Sequence, residues 1–156
     1  MPNLDQRVIN EGVQRAADIL LKHDSLLLEL DVNERSITHK FAEYLQAEFP
    51  EWHVDCEYNR RENLPKVLQV AAAEPVRADD TNAKTVYPDI IVHHRNTGEN
   101  LLVIEIKKSS NPDPGAWDRK KLEAFKEDDD YKYLYAIFLK FETRKGKKPG
   151  VSWEFL

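Results

Sequence analysis

The chain of 156 residues holds one cysteine, Cys56. A single thiol excludes an intramolecular disulfide and any paired-cysteine metal knuckle, and fits a reducing compartment. Long apolar runs are also missing. The best stretch, Tyr133 to Phe141, is interrupted by Lys140 and falls well short of the about 18 residues a membrane span requires. The opening MPNLDQRVINEG is polar and acidic, unlike a secretory leader. No GxxxxGK[ST] loop occurs, which excludes P-loop phosphate chemistry. Internal repeats and low-complexity tethers are absent as well. The expectation is one cytoplasmic domain with no membrane contact, because a chain of this length buries roughly 70% of its unfolded surface.

Positive charge is scarce in the first third. Residues 1–58 carry 5 Lys and Arg against 12 Asp and Glu, whereas residues 59–156 carry 18 against 16. The segment from Lys140 to Lys148 holds five basic residues and one acid. A net charge of −5 disfavours coating nucleic acid by bulk attraction but leaves room for one basic face. Arg144, Lys145, Lys147 and Lys148 are the candidates there for phosphate contacts, and a solvated lysine-rich turn is the plain alternative.

Apolar spacing predicts a helix from Leu4 to about His23, with Leu26 to Leu30 as a short buried connector. A second helix is expected over 33–49: Asp31 or Asn33 caps it, Ile37, Phe41, Tyr44, Leu45 and Phe49 mark one face, and Pro50 stops it. Trp52, Val54, Cys56 and Tyr58 alternate with polar residues, as in a half-buried strand, which makes Cys56 a buried small hydrophobe. Residues 60–66 read as a turn, 67–73 as a short strand and 74–85 as an exposed loop. Val86 to Val92 reads as an edge strand or strand start because it carries Pro88. Leu101 to Lys107 is an apolar strand, 116–128 a helix, Tyr131 to Phe141 a strand, and Val151 to Leu156 a last one. This order gives a mixed α/β layer without Rossmann alternation.

The hairpin from Val86 to Lys107 carries the strongest chemical signal. Folded symmetrically about Thr97, it sets Asp89 opposite Glu105, with Cβ atoms about 5 Å apart on one face. Lys107, two residues on, shares that face. Two facing carboxylates repel, and a divalent cation with oxygen ligands offsets the repulsion. Such a site suits phosphodiester hydrolysis, in which a metal polarises the phosphate and lowers the pKa of a bound water. Asp89, Glu105 and the backbone carbonyl of Ile106 are candidate ligands for Mg²⁺ or Mn²⁺. Lys107 is placed to orient the water or neutralise the phosphate. An isolated Glu-x-Lys is more often a strand-end ion pair worth about 0–1 kcal/mol. The Pro-Asp one hairpin upstream, in matching parity, turns the reading toward chemistry.

Pro88-Asp89 and Glu105-Ile106-Lys107, with 15 residues between the two carboxylates, resemble the signature of the PD-(D/E)XK nuclease superfamily. The order helix, three strands, helix, strand over about 33–141 resembles that family's core. The resemblance implies a restriction-endonuclease-like fold, with residues 31–156 as its core and 1–30 as a helical addition offering a surface for a second copy or another partner. It also implies an acid on the helix before the first core strand. Glu34 and Glu43 are the candidates, and Glu34 is preferred because it opens NERSITHKFAEYL, a stretch similar to small bacterial relatives. The implied activity is hydrolysis of DNA phosphodiesters with Mg²⁺ or Mn²⁺. The chain departs from the family's exonuclease branch, since no QxxxY follows Lys107, and it has no room for a separate DNA-reading domain. A catalytically silent module that binds nucleic acid or protein is therefore the alternative.

Lesser candidates surround this set. Lys108 points away from Lys107 and is expected in solvent, near a DNA backbone. Asp118 and Lys121 share a helix face and read as a surface ion pair or, for Lys121, a phosphate contact. Asp55 and Glu57 read as a solvated face, with an acid that supports the site as the alternative, and His93 and His94 as ordinary strand-end residues. The tryptophans suit core packing better than base stacking.

Overall fold

The computed structural model describes residues 4–58, 60–61, 64–65 and 87–156. Helix α1 spans Gln6–Glu29, opened by Asp5, whose side chain accepts the Val8 N–H at 3.0 Å. It buries Ile9, Val13, Ala16, Ala17 and Leu20. The expected stop near His23 does not occur. The helix continues through a kink at Asp24 (φ −130°, ψ 21°), whose carboxylate accepts the Tyr44 hydroxyl. The supposed buried connector is thus helical, with Leu28 fully buried but Leu26 and Leu30 exposed. A run of four leucines has no periodicity of its own, and the helix turns only part of it inward.

Helix α2 spans Glu34–Glu48 and is capped by Asn33, which accepts the Ser36 N–H at 2.8 Å. Its Ile37, Phe41 and Leu45 are buried, as the spacing predicts. No helix among the described residues is long and apolar enough to cross a membrane.

The strands are β1 His53–Cys56, β2 Arg60–Arg61, β3 Leu64–Pro65, β4 Ile90–His93, β5 Asn100–Lys108, β6 Tyr135–Glu142 and β7 Gly150–Phe155, with helix α3 at Ala116–Glu127. Five of them form one sheet in the order β1-β4-β5-β6-β7. Among the described strands only β5 and β6 run parallel, joined through α3. Arg60–Arg61 and Leu64–Pro65 form a separate two-stranded ladder where the sequence suggests a plain turn. The strand expected at 67–73 and the loop at 74–85 lie outside the described residues. Strand β4 is interior, not an edge. Pro88 sits two residues before it, so its missing N–H removes no bond of the ladder. Strand β6 starts at Tyr135, and the preceding Tyr131 and Tyr133 pack on Phe125 instead.

Helices α1 and α2 cover one face of the sheet and α3 the other. Alternation along β4 and β5 divides their residues accordingly. Ile90, Val92, Leu102, Ile104 and Ile106 join the core under α1 and α2, and Ile91 and Val103 join the core under α3. The result is a mixed α/β domain in which β5 is covered on both faces.

Gly115 fixes how α3 meets the sheet. It sits at φ +85°, where a side chain is strained, and a Cβ there would approach the Phe138 ring to 2.6 Å. Gly115→Ala is expected to cost about 2 kcal/mol in urea unfolding. A loss below about 0.5 kcal/mol would show that the ring simply yields.

Candidate functional site

The β4–β5 register is the one the sequence predicts near the site. Ile90 faces Ile104 and Ile91 faces Val103, so one further step sets Asp89 opposite Glu105. The symmetry about Thr97 fails only at the other end, where a bulge between Val92 and His93 places His93 against Asn100. Asp89 is fixed by the Ile106 N–H, which donates to its Oδ2 at 2.7 Å. Ile106 therefore enters the site through its amide.

Parity turns Glu105 and Lys107 toward α3, and α3 answers with charge. Glu105 is 1% exposed, and its Oε2 accepts Lys121 Nζ at 3.1 Å. Its Oε1 is buried, and no donor among the described residues satisfies it. Lys121 also lies 3.6 Å from Asp118. Lys107 in turn pairs with Asp118 at 2.6 Å and Asp113 at 3.2 Å. Asp118 and Lys121 are thus not a surface pair. The missed signal was their spacing with Leu122 and Phe125, which puts Asp118 at i−4 and i−7 from two core residues. Asp113 had no such signal, because it precedes the helix.

Glu34 approaches from the opposite layer, at the first turn of α2. Its Oε2 lies 3.4 Å from the Lys108 N–H. Glu34 and Asp89 line one cavity of about 260 Å³ with Arg35, Thr38, His39, Cys56 and Glu57. Glu43 is elsewhere, at the surface between His39 and Lys40. Geometry therefore separates the two acids in favour of Glu34. Cys56, expected in the core, is exposed, because it ends the edge strand β1 beside this cavity. Partial burial of its sulfur, with the charges of Asp55, Asp89 and Glu57, pushes the thiol up to about 11. Lys108 is not solvated either, since its Nζ donates to the Val32 carbonyl and pairs with Asp31, both at 3.0 Å.

Burial and mutual repulsion dominate the electrostatics. Glu105 is pushed well above the usual carboxylate range, first by burial and then by the charge of Asp89. Asp89 is raised by burial, against the opposing Ile106 amide. Glu34 is raised by burial and by Asp89. Burial acts to neutralise Lys107, but Asp118 and Asp113 outweigh it, and the ammonium is held. Burial likewise opposes the charge on Lys121, and Glu105 outweighs it. Compared with family models, curated proteins and solved structures, the chain has no significant match. Among the described residues, no group of three or more His, Cys, Asp or Glu side chains is arranged to hold a metal ion as the side chains stand.

The remaining candidates fall into two places. Arg144, Lys145, Lys147 and Lys148 are exposed in the β6–β7 turn. That turn lies just past the ends of β5 and β6, the same end of the sheet as Lys107, and Arg144 is paired with Glu142 at 2.8 Å. Asp55 and His93 form a second polar cluster at the turn end of β4. Asp55 is not on a solvated face: it binds His93 Nε2 at 2.7 Å and Arg95 at 2.5 Å. Burial raises its pKa, but those two partners outweigh burial and hold it well below the usual range. Trp52 stacks on His94 at 3.9 Å, and Trp153 donates to Asn10 at 2.8 Å.

Proposed function

We propose that this chain is a divalent-metal-dependent nuclease of restriction-endonuclease-like fold, acting on DNA phosphodiesters. The observation that carries the reading is Glu105, fully buried opposite Asp89, with one carboxylate oxygen that no donor among the described residues satisfies. Two facing carboxylates, one fully buried and one partly buried, repel when both are charged, and a bound cation would offset that repulsion. The donor set is oxygen only, which suits Mg²⁺ or Mn²⁺. Asp89 and Glu105 would hold the ion, and Glu34, across the cavity, would complete the acidic cluster. When bound, the cation supplies Lewis acidity and a water of lowered pKa. Lys107, held protonated by Asp113 and Asp118, places fixed positive charge where a scissile phosphate gathers negative charge. The exposed basic turn 144–148, at the same end of the sheet, is positioned to meet the DNA backbone.

A second reading has its own support. Glu105, Lys121, Asp118, Lys107 and Asp113 already form a continuous ion-pair chain, which could be purely structural in a module that binds nucleic acid or protein. Cleavage of plasmid and single-stranded DNA in Mg²⁺ or Mn²⁺ separates the two. Glu105→Ala and Lys107→Ala are each expected to lower the rate by about 10²-fold or more. Activity that survives both changes would move the chemistry elsewhere. An inert wild type that takes up no Mn²⁺ in calorimetry would favour the binding module.

A further inference from the structure

Glu105 carries a resident cation of the protein's own. Lys121 Nζ stands 3.1 Å from Oε2 of Glu105, and the lysine side chain is 13% exposed against 1% for the glutamate. Lys121 makes its second contact with Asp118, at 3.6 Å. Lys107 differs, being clamped by two carboxylates at 2.6 and 3.2 Å. The two lysines are therefore held unequally. One is fixed, and the other is bound chiefly to the carboxylate that the metal reading requires as a ligand.

We propose that Lys121 is an exchangeable counter-ion: it neutralises Glu105 in the metal-free protein, and leaves Glu105 when a divalent cation binds. This inference rests on the metal reading given above. Charge accounting favours the exchange. With Lys121 on Glu105, Asp89 has no cationic side chain in direct contact among the hydrogen bonds and ion pairs of the described residues; its carboxylate is held by the Ile106 amide and by its contact with the Glu105 carboxyl group. A dication reaching both carboxylates supplies twice the charge of one ammonium. Lys121, once released, remains on the face of α3 that carries Asp118. Its freed ammonium then adds to the positive charge available to an anionic substrate. The arrangement also accounts for a buried Glu105 that folds beside Asp89 without metal, since Lys121 keeps it from standing as an isolated charge.

The exchange makes binding compete with an internal ion pair, so deleting the competitor tightens binding. Calorimetric titration of the full chain with MnCl₂ at pH 7.5 is expected to show roughly tenfold tighter binding for Lys121→Met. Lys121→Arg, which retains the charge, should bind close to wild type. Should Lys121→Met fail to fold, reductive methylation of the wild type with mass-spectrometric readout tests the same point. Lys121 should react several-fold faster with Mn²⁺ present, while Lys107 stays unchanged. Equal or weaker binding by a folded Lys121→Met, or a Lys121 reactivity that Mn²⁺ does not alter in a wild type that binds it, overturns the exchange and leaves the metal reading standing. No Mn²⁺ uptake by wild type and Lys121→Met alike overturns both.

Discussion

Asp89→Asn is expected to make the metal-free protein more stable while lowering Mn²⁺-dependent DNA cleavage by on the order of 10³-fold. The substitution keeps an oxygen acceptor for the Ile106 N–H and removes the carboxylate charge that faces buried Glu105. A gain of about 1 kcal/mol is the scale for relieving such repulsion. The same physics sets the pH dependence. Asp89, Glu105 and Glu34 all have raised pKa values, so the native state takes up their protons before the unfolded chain does. Their contribution to stability is full at low pH and is lost as pH rises through the folded values. Asp55 acts in the opposite sense: its depressed pKa contributes stability above the ordinary range of about 4, lost as pH falls through its folded value. The metal-free melting temperature should therefore rise as pH falls from neutral toward that range. Asp89→Asn should flatten the slope. A variant that melts lower than wild type at neutral pH, or that retains Mn²⁺ affinity, would remove Asp89 from the site.

Phe125→Ala should cost about 3–5 kcal/mol in chemical denaturation, the range for deleting a fully buried ring. Phe125 is 0% exposed and packs edge-on against Tyr131 and Tyr133 at 5.6 and 5.8 Å between ring centres. It anchors the helix that brings Asp118 and Lys121 to Glu105 and Lys107. The loss should therefore extend beyond stability, with slower Mn²⁺-dependent DNA cleavage in whatever fraction remains folded, because Asp118 on this helix holds Lys107 in place. A cost under about 1.5 kcal/mol would mean that α3 repacks on the sheet without it.

These two expectations draw on different levels of the molecule. The Asp89–Glu105 confrontation was readable from strand parity and one turn, because an antiparallel register is a local matter. It held although the hairpin is bulged, since the bulge falls past Val92, on the far side from the site. The capped α2, the breaks at Pro50 and at Asn111 to Gly115, and the order of the elements were readable for the same reason: each rests on residues within a few positions of one another.

Other features depended on what packs across the chain. The leucine run at 26–30 read as a connector because it lacks periodicity, and α2 decided its fate by binding the Asp24 kink through Tyr44. Cys56 has the alternation of a core residue, yet it ends an edge strand where α2 begins, and the core does not reach it. Lys108 alternates outward, but the loop between α1 and α2 closes over it with Val32 and Asp31. Asp55 lies on the polar side of β1, where His93 and Arg95 cover it.

The sequence alone determined the α/β character of this protein, the capped second helix, and the face shared by Asp89, Glu105 and Lys107. Those follow from short periodicities and turn chemistry, whose range is a few residues. Only the tertiary structure decided that α3 lays Asp118 and Lys121 onto that face, that Glu34 arrives from the other layer, and that Glu105 is buried beside its own lysine. Each of those contacts joins elements whose separation along the chain leaves no periodic trace. They are set by which helix covers which face of the sheet.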